Sequence, residues 1–177
     1  MTDIIIVGSQ EDCGIEKLIK TSLSKTYRIS YLKNSSYSRF GAGYELICID
    51  CGEIGLTGIE NPIILAKKQA VLTIPLPESS TAIISAENES QLSAVKNSGI
   101  FAITCGISPT STISFTSETE EKLTVSLNRS ISALSGRTVQ PLEIPIQKSG
   151  FDNYTLMSFI ALRLLLDDFD SELGKLI

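Results

Sequence analysis

Four carboxylates stand just past segments that read as strands: Asp50, Glu53, Glu78 and Glu87. Ligand sites of open α/β sheets gather at such strand ends, so the chemistry these residues could support is acid–base work on a small substrate. Asp50 is foremost, because it directly ends a buried-strand run within Tyr44–Leu56, YELICIDCGEIGL. The bland alternative weighs more. Acids at strand ends cap helices or sit in solvated loops, and Asp50 can simply accept hydrogen bonds from the amides of the Gly52–Gly55 loop. The chain contains no histidine, which removes the commonest general base and the Ser-His and Cys-His nucleophile pairs.

Two further motifs carry chemical meaning. Cys48 and Cys51 have the spacing of a redox or metal pair, but both lie in the strand run. Residues three apart on a strand point to opposite faces about 10 Å apart along it, beyond the limit of about 7 Å for a disulfide. No second cysteine pair and no histidine completes a zinc site. The expectation is buried structural thiols, reduced, with no metal. Gly8–Gly14, GSQEDCG, sits where a strand meets a helix, the natural place for a phosphate cradle. A phosphate-binding loop has four residues between its glycines and then Lys-Ser/Thr; here there are five, followed by Ile15-Glu16. Glu11, Asp12 and Glu16 add negative charge where phosphate would bring more. Triphosphate binding in the usual mode is therefore not expected, and no cofactor is assigned.

The elements that must position these groups follow from the apolar pattern. Asp3–Gly8 is a short apolar run closed by glycine, as for a strand covered on both faces. Asp12 caps a helix to about Lys25, with Ile15, Leu18, Ile19 and Leu23 at core-facing spacing. Tyr27–Leu32 reads as a half-exposed strand, Asn34–Gly43 as loop, and Leu46–Cys51 as a second two-sided buried strand. Asn61-Pro62 looks like a cap and first helical residue, starting a short helix to Gln69. Ala70–Ile74 and Ala82–Ala86 read as strands split by the turn Pro75-Leu76-Pro77-Glu78. Glu87–Ser98 is a helix ending at Gly99, and Ile100–Cys105 a strand. This alternation predicts right-handed crossovers and a mainly parallel sheet.

The texture changes after Gly106. Thr112–Ser117 and Lys122–Asn128 alternate apolar and polar residues, the mark of antiparallel strands wet on one side. Thr138–Ile146 reads as one more strand, pushed to an edge by Pro141 and Pro145. Asp152 caps a strongly apolar helix, Tyr154–Phe169. That helix reads as buried, in preference to a dimer surface, since Arg163 and Asp167-Asp168 mark only a narrow polar edge.

Composition fits this picture. At 177 residues with 42% hydrophobic and 20% charged content, the chain can bury a sizeable core. The net charge of −5, with no basic cluster longer than Lys67-Lys68, argues against nucleic acid. The N-terminus, MTDIIIVGSQ, lacks the features of a signal peptide. Tyr154–Leu166 is short for a membrane span and carries Arg163. A cytoplasmic protein with no membrane insertion is expected.

Taken in order, these segments resemble the central ATPase domain of the Mur ligase and folylpolyglutamate synthase family. Ile49-Asp50-Cys51-Gly52-Glu53-Ile54-Gly55-Leu56 is similar to the family's Glu-Val-Gly-x-x-Gly-Leu element, with Asp50 replacing a magnesium-binding glutamate. Leu72-Thr73-Ile74-Pro75 with Glu78-Ser79 resembles Ile-Thr-Asn-Ile followed by Asp-His, with the asparagine and the metal-binding histidine gone. Ile84-Ser85-Ala86-Glu87-Asn88 is similar to Ile-Asn-x-Asp-Asp, and Thr104-Cys105-Gly106 to Thr-Phe-Gly. Gly150-Phe151-Asp152-Asn153 resembles Gly-x-His-Asn, which opens a helix near the adenine. The resemblance runs over nearly the whole chain.

It implies an α/β, Rossmann-like three-layer domain over residues 1–177: a mainly parallel sheet, a C-terminal antiparallel extension and a final apolar helix. It also implies what has been lost: the P-loop lysine, the hydroxyl after it, the magnesium histidine, and the family's flanking domains. Without lysine and magnesium, phosphoryl transfer loses several kcal/mol of transition-state stabilisation. The expectation is a catalytically silent bacterial relative, binding a partner protein or a small ligand in cell-envelope physiology. The candidate ligand-binding residues are Gly8, Ser9, Asp50, Gly52, Glu87, Asn88 and Asn153. A small-molecule enzyme using Asp50 or Glu87, and a self-assembling (homodimeric) module, are the alternatives.

Overall fold

The computed structural model describes residues 1–55, 58–73, 75–119, 122–147 and 149–168. It divides into two compact units, Met1–Ala102 and Ile103–Ile177. In the first, β1 (Thr2–Val7) leads to α1 (Gly14–Thr21), a 3-10 turn (Leu23–Lys25) and β2 (Tyr27–Lys33). Then come β3 (Ser36–Phe40), β4 (Tyr44–Cys51), β5 (Ile63–Ala66), β6 (Thr81–Ser85) and α2 (Glu89–Ser98). The strands lie in the order β6-β5-β1-β4-β2-β3. All neighbours are parallel except the β2–β3 hairpin.

β1 sits between β4 and β5, so Ile4, Ile6 and Val7 are completely buried. One face of the unit packs Ile5, Val7, Ile64, Ala66, Ala82 and Ile84 with Ala94 of α2. On the other face α1 buries Ile15, Leu18 and Ile19, and its Lys20 lies over the ring of Tyr31 in β2. Each such aliphatic side chain withdrawn from water contributes about 1.5–3 kcal/mol.

The second unit takes up β7 (Phe101–Gly106) from Ile103 onward. It adds β8 (Ile113–Glu118), β9 (Lys122–Leu127), β10 (Ile131–Ser132), β11 (Thr138–Val139), β12 (Leu142–Gln147) and α3 (Asn153–Leu165). β8, β9 and β12 are antiparallel neighbours, and β10 pairs with β11 in a separate ribbon. Asp152 caps α3 by accepting from the Thr155 amide, and every residue from Tyr154 to Leu165 is buried. The helix therefore presents no exposed apolar stripe. Phe169 lies outside the described residues. The chain is an α/β, Rossmann-like fold with a mainly parallel sheet, an antiparallel extension and a final apolar helix, as expected.

Several elements depart from expectation. The helix expected from Asn61 to Gln69 is instead β5 followed by a turn. Asn61 takes φ 52° and caps nothing, and the four-residue run Ile63–Ala66 is buried throughout between two parallel neighbours. Burial on both faces of a sheet outweighs local cap chemistry. The strand expected at Ala70–Ile74 is irregular chain over residues 70–73, with Ile74 outside the described residues. The expected loop Asn34–Gly43 contains β3, turned through Asn34 at φ 52°. Thr138–Ile146 is two strands in two different sheets, parted at Gln140-Pro141; Pro145 is tolerated because β12 is an edge strand. α1 begins after Cys13, and Asp12 serves it only by accepting from the Gly14 amide at 3.1 Å. Among the described residues no helix is long and apolar enough to cross a membrane.

Candidate functional site

Strand alternation turns Leu46, Cys48 and Asp50 of β4 toward one face, and the parallel register places Lys33 beside Asp50 and Tyr31 beside Cys48. Asp50 is thus carried on the last turn-free stretch of a central strand, and it is 2% exposed. Its carboxylate is fully engaged. Lys67 Nζ donates to Oδ1 at 2.9 Å and Oδ2 at 3.2 Å. Tyr31 Oη donates to Oδ2 at 3.0 Å, and Gln10 Nε2 to Oδ1 at 3.1 Å. Lys33 Nζ stands 3.9 Å from Oδ2.

Lys67, the residue immediately after β5, is 2% exposed. Its third donor goes to the Ser9 carbonyl at 2.8 Å, inside the glycine-punctuated loop. The close approach dictates Gly8: with φ 134°, a Cβ there would meet Lys67 Cβ at 2.9 Å. The Lys67–Ala70 turn is itself pinned from α2. Gln91, completely buried, donates to the carbonyls of Lys67 and Ala70, each at 2.9 Å, and accepts from the Ser85 amide at 2.8 Å. Asn88, the N-cap of α2, donates to the Ala70 carbonyl at 3.0 Å.

The surrounding charges respond to this packing. Burial, together with the charge of Asp50 and the hydrogen bond to it, raises the Tyr31 phenol above its ordinary range. Lys33 bridges Glu16 at 2.7 Å and Cys13 Sγ at 3.2 Å. Burial works against the Lys33 ammonium, yet those two bonds and the nearby carboxylates outweigh it and hold its pKa above the usual lysine value. Burial likewise opposes the Glu16 carboxylate, but Lys20 and Lys33 overcome it and bring Glu16 down to about 2.

The four cysteines are free. Burial, with the Asp50 charge, pushes Cys48 up to about 12; burial alone raises Cys105. Cys51 is also raised, first by burial. Among the described residues no group of three His, Cys, Asp or Glu could hold a metal ion.

Two open depressions adjoin this network. One, of about 290 Å³, is lined by Gly8, Ser9, Gly52, Glu53, Gln69, Ala70, Val71 and Thr73. The other, of about 340 Å³, is lined by Lys68, Gln69, Val71, Ser85, Glu87, Asn88, Glu89 and Ser90. The structure therefore gathers Gly8, Ser9 and Gly52 at the first and Glu87 and Asn88 at the second, with Gln69 and Val71 common to both. Asp50 lines neither. Asn153 belongs to the second unit, where it is the exposed first residue of α3. Lys67, Tyr31 and Gln10 escaped the sequence reading. The signal for Lys67 was present in Ile63-Ile64-Leu65-Ala66-Lys67, a lysine set directly on a buried run, and it was hidden by reading that run as a helix.

A magnesium–triphosphate group does not fit here. The Asp50 oxygens are occupied by four donor contacts, and the buried Lys67 ammonium is spent on Asp50 and Ser9. Gln10 Oε1 is buried and unpaired, and an acceptor does not receive phosphate oxygens.

No protein-family model and no curated protein matches the sequence. Solved structures do. E. coli FolC, in complex with DHPP and ADP, matches with TM-score 0.59 at 9% identity, over 93% of this chain and 53% of that one. UDP-N-acetylmuramoyl-L-alanyl-D-glutamate–2,6-diaminopimelate ligase matches with TM-score 0.59 at 12% identity, over 100% and 45%. The murein peptide ligase of Psychrobacter arcticus matches with TM-score 0.57 at 11% identity, over 92% and 43%. The chain spans about half the length of these proteins. At such identities the likeness establishes the fold, which is that of a Mur ligase/FolC-like domain, in agreement with the order of motifs in the sequence.

Proposed function

We propose that this chain is a non-catalytic ligand- or partner-binding module built on the Mur ligase/FolC-like fold, serving cell-envelope physiology in a bacterial cytoplasm. One observation carries the reading: the Lys67 ammonium is an internal counter-ion for Asp50, tied at the same time to the Ser9 carbonyl. A carboxylate that binds catalytic metal must offer free oxygens, and a phosphate loop must offer a free cation. Here each satisfies the other. The ligand then takes the open edge outside that pair, at Gly8, Ser9 and Gly52 on one side and Glu87 and Asn88 on the other.

An enzyme working through Asp50 is disfavoured, because both carboxylate oxygens are already engaged by Lys67, Tyr31 and Gln10 and the side chain lines neither of the two depressions. Amide chemical-shift mapping during a screen of small polar metabolites tests the proposal. Shifts centred on Gly8, Ser9, Gly52, Glu87 and Asn88, without turnover, are expected. Turnover of any ligand that shifts these amides would contradict it.

A further inference from the structure

We propose that two copies of this chain associate through the free edge of β3, paired antiparallel about Ser38. In that arrangement Tyr37 of each copy lies opposite Arg39 of the other. This does not depend on what binds at the opposite strand ends.

β3 closes the strand order of its unit, with only β2 beside it. The hairpin turn has two residues, Asn34 and Ser35, and the register pairs Lys33 with Ser36, Tyr31 with Ser38 and Ile29 with Phe40. In a two-residue hairpin the closing pair exchanges both backbone hydrogen bonds, and an antiparallel ladder alternates from there. Ser36, Ser38 and Phe40 therefore bond inward to β2. The N–H and C=O groups of Tyr37 and Arg39 point outward, and no backbone partner is present for them among the described residues.

Natural edges are blunted with lysine, proline, bulges or covering segments. Among the described residues Ser36–Phe40 has no lysine, proline, bulge or covering segment. Its single charge, Arg39, is held at 2.6 Å by Glu45, and Tyr37 is 61% exposed.

Charge and register together choose the occupant. Only three self-pairings set outward groups against outward groups. Centring on Arg39 opposes two guanidinium groups. Centring on Tyr37 sets Arg39 against Ser35 in the turn and leaves its outward groups unmatched. Centring on Ser38 matches Tyr37 with Arg39 twice, joins four backbone bonds, and lays each guanidinium stem along an aromatic ring with no like charges opposed. A second copy of the strand is thus complementary to the first.

The interface is small and belongs to the weak class. Sedimentation velocity of the full chain is expected to show monomer passing to dimer with a midpoint at roughly 10–100 µM. Tyr37→Lys sets lysine against the partner's Arg39 and weakens association by about tenfold, whereas Tyr37→Glu keeps it. Ser38→Cys places two thiols on a pair whose Cα atoms lie about 4.5 Å apart, and oxidation links the copies; Ser36→Cys does not link. A protein that stays monomeric to about 1 mM overturns the proposal. So does a dimer in which Ser38→Cys fails to form the 38–38 link by peptide mass spectrometry, or one indifferent to Tyr37→Lys.

Discussion

Lys67 Nζ lies 2.9 Å from Asp50 Oδ1 and 3.2 Å from Oδ2, with both side chains withdrawn from water. The pair joins the ends of two strands that do not touch, since β4 and β5 lie on either side of β1. Desolvating two ions is costly, and their attraction offsets that cost only with good geometry and additional hydrogen bonds. Tyr31, Gln10 and the Ser9 carbonyl provide them.

Removing one partner strands the other as an uncompensated buried charge. Lys67→Met and Asp50→Leu should each cost about 3–5 kcal/mol in urea unfolding, while the double variant should recover most of that loss. Additive losses would mean that the two groups are not energetically coupled.

Gln91 holds the turn that aims Lys67. Gln91→Leu leaves the Lys67 and Ala70 carbonyls and the Ser85 amide without their side-chain partner, for an expected loss of about 3 kcal/mol. The measurement is the urea midpoint. A loss below about 1 kcal/mol would show that water or the Asn88 amide takes over these bonds.

Glu16 gives the fold an acid-sensitive component. Its folded pKa of about 2 lies below the ordinary 4.5. The unfolded chain therefore binds its proton first as pH falls, and the contribution is present in full above about pH 4.5. It is lost progressively as pH drops through that window toward 2. Glu16→Gln should flatten the stability profile there and leave its shape above pH 5 unchanged, apart from a constant offset. An unchanged slope between the two values would remove Glu16 from the account.

Thiol reactivity should separate the cysteines. Cys48 and Cys105 are completely buried, and both are pushed upward by burial, so neither reacts with a disulfide reagent until the chain unfolds. Cys13, half-buried and beside the Lys33 ammonium, should react first. Rapid native-state modification of Cys105, located by peptide mapping, would contradict the packing of β7.

Much of the frame was legible because burial and period speak plainly in it. The apolar run before Gly8, the run ending on Asp50, the alternation in Ile113–Glu118 and Lys122–Leu127, and the Asp152 cap each belong to one local rule. β5 was not legible: four apolar residues carry no period, and Asn61-Pro62 mimics a helix start. That single misreading concealed Lys67, which lies 17 residues from Asp50 and meets it only through strand order. Asp50 was found by its place in the chain, but its saturation depends on three tertiary neighbours that no spacing announces. β3 was hidden for another reason, since an exposed hairpin strand of Ser, Tyr and Arg reads as polar loop.

The proposed silence of the chain turns on the Asp50–Lys67 pair filling the place a polyphosphate and its cation would need. Isothermal titration of the full chain with Mg-ATP, run alongside a phosphate-release assay, tests it most directly. No saturable heat up to about 1 mM nucleotide and no phosphate release above background are expected. Saturable binding near 1 µM or tighter, with steady hydrolysis that Lys67→Met abolishes, would contradict it.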